Sequence, residues 1–202
     1  IYLQWGLSLE AYVGVIIAVF IIKAGIEMLT ETLDDIIGQR GDAETGAKVR
    51  ELIREEKEVL GVFDLILYNY GPNKNYGSVH LELPDRMTVD EVDLLTRRIQ
   101  LNVYRKTGVI LTGVGVYSFN TADDEAAQIR NAVQEKVMAH DWALQMHGFY
   151  ADTVKKTIRF AVVVSFEVEH KTARETMLRE VKALYPEYDI QIITDFDVAD
   201  IS

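Results

Sequence analysis

No cysteine occurs in the 202 residues, so disulfide frameworks, thiolate zinc sites and cysteine nucleophiles are excluded. Any metal must be held by His, Asp, Glu or backbone oxygen. Basic residues are in deficit: 21 Lys and Arg stand against 32 Asp and Glu, a formal net charge of −11. A surface of that sign repels phosphate backbones, which argues against nucleic acid as a partner and for cations. Catalytic signatures are missing as well. There is no G-x-S-x-G, no H-E-x-x-H, no P-loop and no glycine-rich dinucleotide pattern, so no enzyme chemistry is expected. Histidine is scarce, with four in all.

Charge is nearly absent from the first part of the chain. Up to Ile22 the one charged residue is Glu10, residues 11–22 read AYVGVIIAVFII, and Lys23 and Glu27 punctuate a further apolar stretch ending at Leu29. A bilayer core needs about 20 mostly apolar residues on a helix, whereas shorter runs also occur as buried helices or signal segments. Tyr2 and Trp5 sit where an aromatic belt would lie, Lys23 can snorkel at the other face, and Gly14 and Gly25 allow close helix contact. These features favour a membrane span. A signal peptide is disfavoured, because no basic segment precedes the run and no small-residue cleavage site follows it. Beginning at Ile1 inside apolar sequence, the chain reads as the carboxy-terminal part of something larger, and one span encloses no transport pathway.

After the polar segment GQRGDAETG (38–46), the pattern is helix, strand, strand, helix, strand. Val49, Leu52 and Ile53 have helical spacing; FDLILYNY (63–70) and YGSVHLEL (76–83) are alternating runs joined by a GPNKN turn. Thr88 and Glu91 form a capping box ahead of a helix bearing Val92, Leu95, Ile99 and Val103, and residues 109–117 supply the last strand. The order then recurs. Lys48-Val49-Arg50 falls opposite Gln128-Ile129-Arg130, the strand pair becomes 142–150 and 157–166, Thr172 and Glu175 repeat the capping signal, and 189–198 closes the unit. The fold class is therefore α+β: one hydrophobic helix (1–38), then two αββαβ, ferredoxin-like domains at 39–119 and 120–202. Each unit leaves one sheet face open, and such faces are normally closed by a second copy, here either within the chain or across a two-fold axis.

The hydrophobic helix ending in GIEMLTETLDDIIG (25–38), an acidic linker, GVFDLILYNYGP (61–72) and VHLEL (79–83) resemble the end of the cation diffusion facilitator (cation efflux) family. There the sixth membrane helix runs through a hinge into an αββαβ cytoplasmic domain that dimerises. The resemblance covers residues 5–118, and 125–202 look like a divergent second copy of that domain. It implies the C-terminal part of an inner-membrane exporter of divalent metal, usually exchanging zinc, manganese, iron or cobalt for protons. Residues after about 30 would then be cytoplasmic, and the partner a second chain in a homodimer. The family's transport ligands lie on membrane helices that this stretch does not contain. Of the family's cytoplasmic metal residues, the first-strand histidine position is Phe63, although Asp64 follows it. The second-strand histidine stands as His80, and residues 112–117 (TGVGVY) carry no ligand.

Read from the residues, His80 shares a strand face with Glu82, which suits either a cation or an interface hydrogen bond. His140, Asp141, His147 and Asp152 would supply two imidazoles and two carboxylates for zinc or manganese, and equally fit turns and surface. His170 reads as a solvated loop residue. Asp189, Asp195, Asp197 and Asp200 form an acidic cluster that reads as a charged terminus. A divalent cation, zinc or manganese, is thus the expected cofactor. A metal-free dimerisation module and a membrane-tethered small-molecule sensor are the alternatives.

Overall fold

A computed structural model describes residues 9–37, 39–40, 43–70 and 75–195. Tyr2, Trp5, the Glu10 side chain, the hairpin turn at 71–74, Asp197 and Asp200 lie outside the described residues. Helix α1 (Leu9–Ile37) comes first and contains one stretch, Tyr12–Leu29, long and apolar enough to cross a membrane, with a mean hydropathy of 2.1. None of that stretch is buried against the rest of the chain. A helix apolar all round and uncovered by protein is stable only in an apolar surrounding.

The αββαβ order then occurs twice. The first copy is α2 (Ala43–Arg54), β2 (Gly61–Asn69), β3 (Asn75–Pro84), α3 (Val89–Thr107) and β4 (Ile110–Phe119). The second is α4 (Glu125–Met138), β5 (Ala143–Asp152), β6 (Thr157–Val164), α5 (His170–Leu184) and β7 (Asp189–Asp195). In each, the hairpin is antiparallel and the last strand returns through a helix to lie parallel to the middle strand, giving the orders β2-β3-β4 and β5-β6-β7. The pattern did not show strand β1 (Gln39–Arg40), which pairs Gln39 with Asn69 and Arg40 with Tyr68 and so ties the end of α1 to the first sheet. Two residues are too few to carry an alternation signal.

Local chemistry sets the helix ends. Thr88 accepts from the Glu91 amide while Glu91 returns to the Thr88 amide, a complete capping box, and Gly108 closes α3 in the left-handed conformation with φ 74. The second proposed box is not formed. Helix α5 begins at His170, so Thr172 lies inside its first turn, and the N-cap Glu169 makes no side-chain cap bond. His170 is accordingly the first helical residue and half-buried, its Nδ1 3.1 Å from the Thr194 hydroxyl, rather than a solvated loop residue.

Each copy has its own core. Val49, Leu52, Ile53, Val79, Leu81, Leu83, Leu95, Ile99 and Val103 fill the first, between its sheet and both its helices. Ile129, Val133, Ile158, Phe160, Val162, Met177, Val181 and Ile192 fill the second. On β6 the alternate residues Ala161 and Val163 point away from that core, yet are only 8% and 7% exposed. Burial on both sides of a strand means a second layer is present. That layer includes the first copy, whose β4 lies against β5. The two sheets meet through the faces that their own helices leave open.

Candidate site between the two copies

The centre of that contact is a carboxylate. Strand β2 loses register with β3 between Phe63 and Ile66, and Asp64 sits there with a left-handed φ of 52. A bulge re-aims a side chain, and Asp tolerates the left-handed region better than a branched residue would. Asp64 accepts on Oδ2 from the Tyr117 hydroxyl at 2.6 Å and lies 3.1 Å from His80 Nδ1 through the same oxygen. Its Oδ1 faces Nε2 of His147, from the second copy, also at 3.1 Å.

Aromatic rings enclose these groups. The His147 ring stacks on Phe63 with centroids 4.8 Å apart at 10°, and His80 stacks on Tyr117 at 4.6 Å and 13°. Two glycines make the approach possible. A Cβ on Gly115 would fall 2.2 Å from the His80 ring, and one on Gly148, where φ is 60, would crowd the Tyr117 ring at 3.1 Å. His147 is 3% exposed and its Nδ1 is buried without a hydrogen-bond partner. The ionised Asp64 carboxylate can only accept, so Nε2 of His147 is the donor in this contact.

Burial works against the charged Asp64, but the hydrogen bonds from His147 and Tyr117 and the nearby imidazoles prevail and hold its pKa below the ordinary 3.8. Burial and the adjacent Asp64 push the Tyr117 hydroxyl well up. Glu82 moves the other way: burial raises its pKa above the ordinary 4.5, partly opposed by Arg130 and His147. A cleft of about 460 Å³ opens beside Glu82 between the copies, lined also by Asp85, Phe119, Arg130, Phe149 and Asp152. Arg130 spans it, its guanidinium 4.2 Å from the centre of the Phe119 ring and donating to the Asn120 carbonyl at 2.8 Å.

The six residues singled out from sequence thus fall in three places. His80 and His147 come together, but through Asp64. Glu82 and Asp152 line one cleft, where Asp152 already accepts from the Val154 and Lys155 amides. His140 pairs with Glu180 at 2.8 Å and stacks on Trp142 at 4.5 Å, while Asp141 is exposed. The four residues of the second copy therefore do not converge on one point: His140 turns to Glu180, His147 to Asp64 and Asp152 to the amides of its own turn. Asp64, Tyr117 and Arg130 were absent from that set. The signal for Asp64 was a lone carboxylate inside the apolar run VFDLIL; Tyr117 and Arg130 carried none.

A metal fits the donors only pairwise. Two ligands 2.0–2.1 Å from a tetrahedral ion lie roughly 3.3 Å apart, close to each imidazole–carboxylate spacing here. The carboxylate nevertheless keeps the imidazoles on different oxygens, and among the described residues no three His, Asp or Glu converge to hold an ion.

Residues 42–112 match the family model described as "Cation efflux protein, cytoplasmic domain". No curated protein matches the chain. Among solved structures, a nickel form of a MamM CTD variant is 15% identical, covering 39% of this chain and 98% of that one with a TM-score of 0.33. A cadmium form of another MamM CTD variant gives 15%, 39%, 96% and 0.33. The periplasmic domain of the T3SS inner membrane protein PrgH from S. typhimurium is 11% identical, covering 76% of this chain and 71% of that one, with a TM-score of 0.24. The family match spans the first copy from the start of α2 into β4, and this part of the chain is similar to the cytoplasmic domain of cation efflux proteins.

Proposed function

We propose that the chain is the C-terminal part of a transporter that exports divalent metal cations across the inner membrane in exchange for protons, with zinc, manganese, iron or cobalt as cargo. One observation carries this reading: an apolar helix, Tyr12–Leu29, uncovered by protein, leads directly into a domain matched at 42–112 to the cytoplasmic part of cation efflux proteins. Cargo would cross with the help of further helices, since one span has no interior. Residues 1–38 then serve as last span and hinge, and 39–119 and 120–202 as two cytoplasmic domains. Within a homodimer this part holds the subunits together and answers to cytoplasmic charge.

Asp64 and His80 are the donors a cytoplasmic cation meets in the first copy, with Glu82 and Asp152 in the adjoining cleft and His140 with Asp141 as a separate, weaker pair. Their excess of negative charge draws cations, and neutralising facing carboxylates favours a closed arrangement over a splayed one. The complete protein, expressed in cells stripped of their own exporters, should lower cell zinc or manganese under metal loading; unchanged metal content would end the transport reading. Calorimetric titration of the chain in detergent with each metal tests the regulatory part, which an absence of heat with both would remove. The second reading, a metal-free dimerisation module, is favoured by one feature: both oxygens of Asp64 already face protein donors.

A further inference from the structure

The two copies are alike in backbone and unlike in the faces they present. Phe63 pairs with His80 across the first hairpin, and His147 with Ala161 across the second. His80 and Glu82 face Gly115 and Tyr117; Ala161 and Val163 face Ile193 and Asp195. Phe63 therefore corresponds to His147, His80 to Ala161, Glu82 to Val163 and Tyr117 to Asp195. Directly after Phe63 and His147 both first strands break register, and both following residues, Asp64 and Gly148, have positive φ. Where the first copy has Phe-Asp, the second has His-Gly.

These corresponding positions meet, as positions near a two-fold axis do: the Phe63 ring lies on the ring of its own counterpart, His147. We propose that a His–Asp pair is divided between the copies, so that the open face of the first copy is built to take the second copy of the same chain and not another first copy. A pairing of two first copies sets Phe63 on Phe63 and brings two Asp64 and two half-buried Glu82 together with no His147 to donate. A pairing of two second copies sets His147 on His147, with Gly148, Ala161 and Val163 and no carboxylate at the Asp64 position to accept. The mixed pair joins His147 to Asp64 and sets Asp64 and Glu82 against a copy that has glycine and valine at their positions, and like charges facing each other are a strong discriminator. The connection from Phe119 to α4 is a few residues long, which holds the effective concentration of the second copy high. Assembly of two chains then uses surfaces other than this face, and the division stands whether or not the chain moves metal.

The absence of native cysteine makes the test direct. Spin labels go on Arg97→Cys in α3 and Glu135→Cys in α4, both exposed, in the full chain in detergent, and the label–label distance is read by pulsed EPR. A single narrow distance is expected, unchanged when labelled chains are diluted with unlabelled ones. His147→Ala should broaden it, while His147→Gln, whose amide nitrogen reaches about as far as Nε2, should keep it narrow. Asp64→Asn guards against misfolding of the alanine variant: it keeps the shape, removes the charge and should also broaden the distance. A narrow distance that vanishes on dilution, a short distance between chains labelled at Arg97→Cys alone, or a distance indifferent to both His147→Ala and Asp64→Asn would each overturn the proposal.

Discussion

Replacing His147 by alanine tests the contact at its centre, and the structure sets the size of the effect. Nε2 donates to an ionised carboxylate at 3.1 Å, with the His147 side chain 2% and that of Asp64 22% exposed. Such a bond contributes roughly 1.5–3 kcal/mol, and the stack on Phe63 adds roughly 0.5–1.5 kcal/mol. The substitution also removes the buried, unpartnered Nδ1, which offsets roughly 1 kcal/mol or more of that loss. The net expectation is about 2 kcal/mol, a factor of about 30 in the docked against undocked populations. Urea denaturation of the full chain in detergent, followed by Trp142 in a Trp5→Phe background, reads it out for His147→Ala, Asp64→Asn and the double variant. The coupling between the two positions should be about 2 kcal/mol, because neither residue has another partner of equal quality across the contact. A coupling below roughly 0.5 kcal/mol would mean that the two groups are neighbours and nothing more, and the argument from geometry would fail.

Four other outcomes follow. Asp64 has a depressed pKa, so its share of stability is present above the ordinary 3.8 and is lost as pH falls through the folded value; Asp64→Asn should flatten the acid limb of a stability profile. Glu82 has a raised pKa, so it costs nothing below 4.5 and destabilises once ionised; Glu82→Gln should raise the urea midpoint at pH 7 and leave it unchanged near pH 4. Gly148→Ala forces a side chain into a left-handed conformation 3.1 Å from the Tyr117 ring, and should lower stability by about 1–2 kcal/mol in the same urea assay. Val19→Arg places a charge in the middle of the apolar stretch, which costs roughly 2.5–3.5 kcal/mol on insertion scales, and should move the chain into the alkali-extractable fraction of membranes.

Much of the architecture was legible because it rests on periodicity. Val49, Leu52 and Ile53, or Leu95, Ile99 and Val103, mark helix faces three and four residues apart, and the alternation in YGSVHLEL marks a strand with one buried face. The capping box at Thr88 was readable for the same reason, since its residues sit at a fixed offset. The one at Thr172 misled because Ser or Thr followed three places later by Glu is common inside helices too, and only the backbone decides where the helix begins. The site itself was half legible. His80 and His147 carry the right chemistry, but what joins them is Asp64, from a bulge that no local pattern announces. The proximity of the two copies is equally silent in sequence, because Ala161 and Val163 read as ordinary members of an apolar strand, whichever layer covers them.

The bulge explains why the acidic residue stands in the first copy and the glycine in the second. A left-handed residue other than glycine carries strain of order 1 kcal/mol, which persists only where the surroundings hold it. At Asp64 they do: Tyr117, His80 and His147 all converge on its carboxylate, and the strained backbone is what turns that carboxylate away from the core and toward them. At Gly148 the same backbone is kept for a different reason. There the absence of a side chain lets the Tyr117 ring close over the strand, which sets the reach of the hydroxyl that meets Asp64. One irregularity thus does two tasks, aiming a charge in one copy and clearing space in the other. Neither task would survive an exchange of the two residues, since an aspartate at position 148 would strike the tyrosine ring and a glycine at 64 would leave three donors without an acceptor.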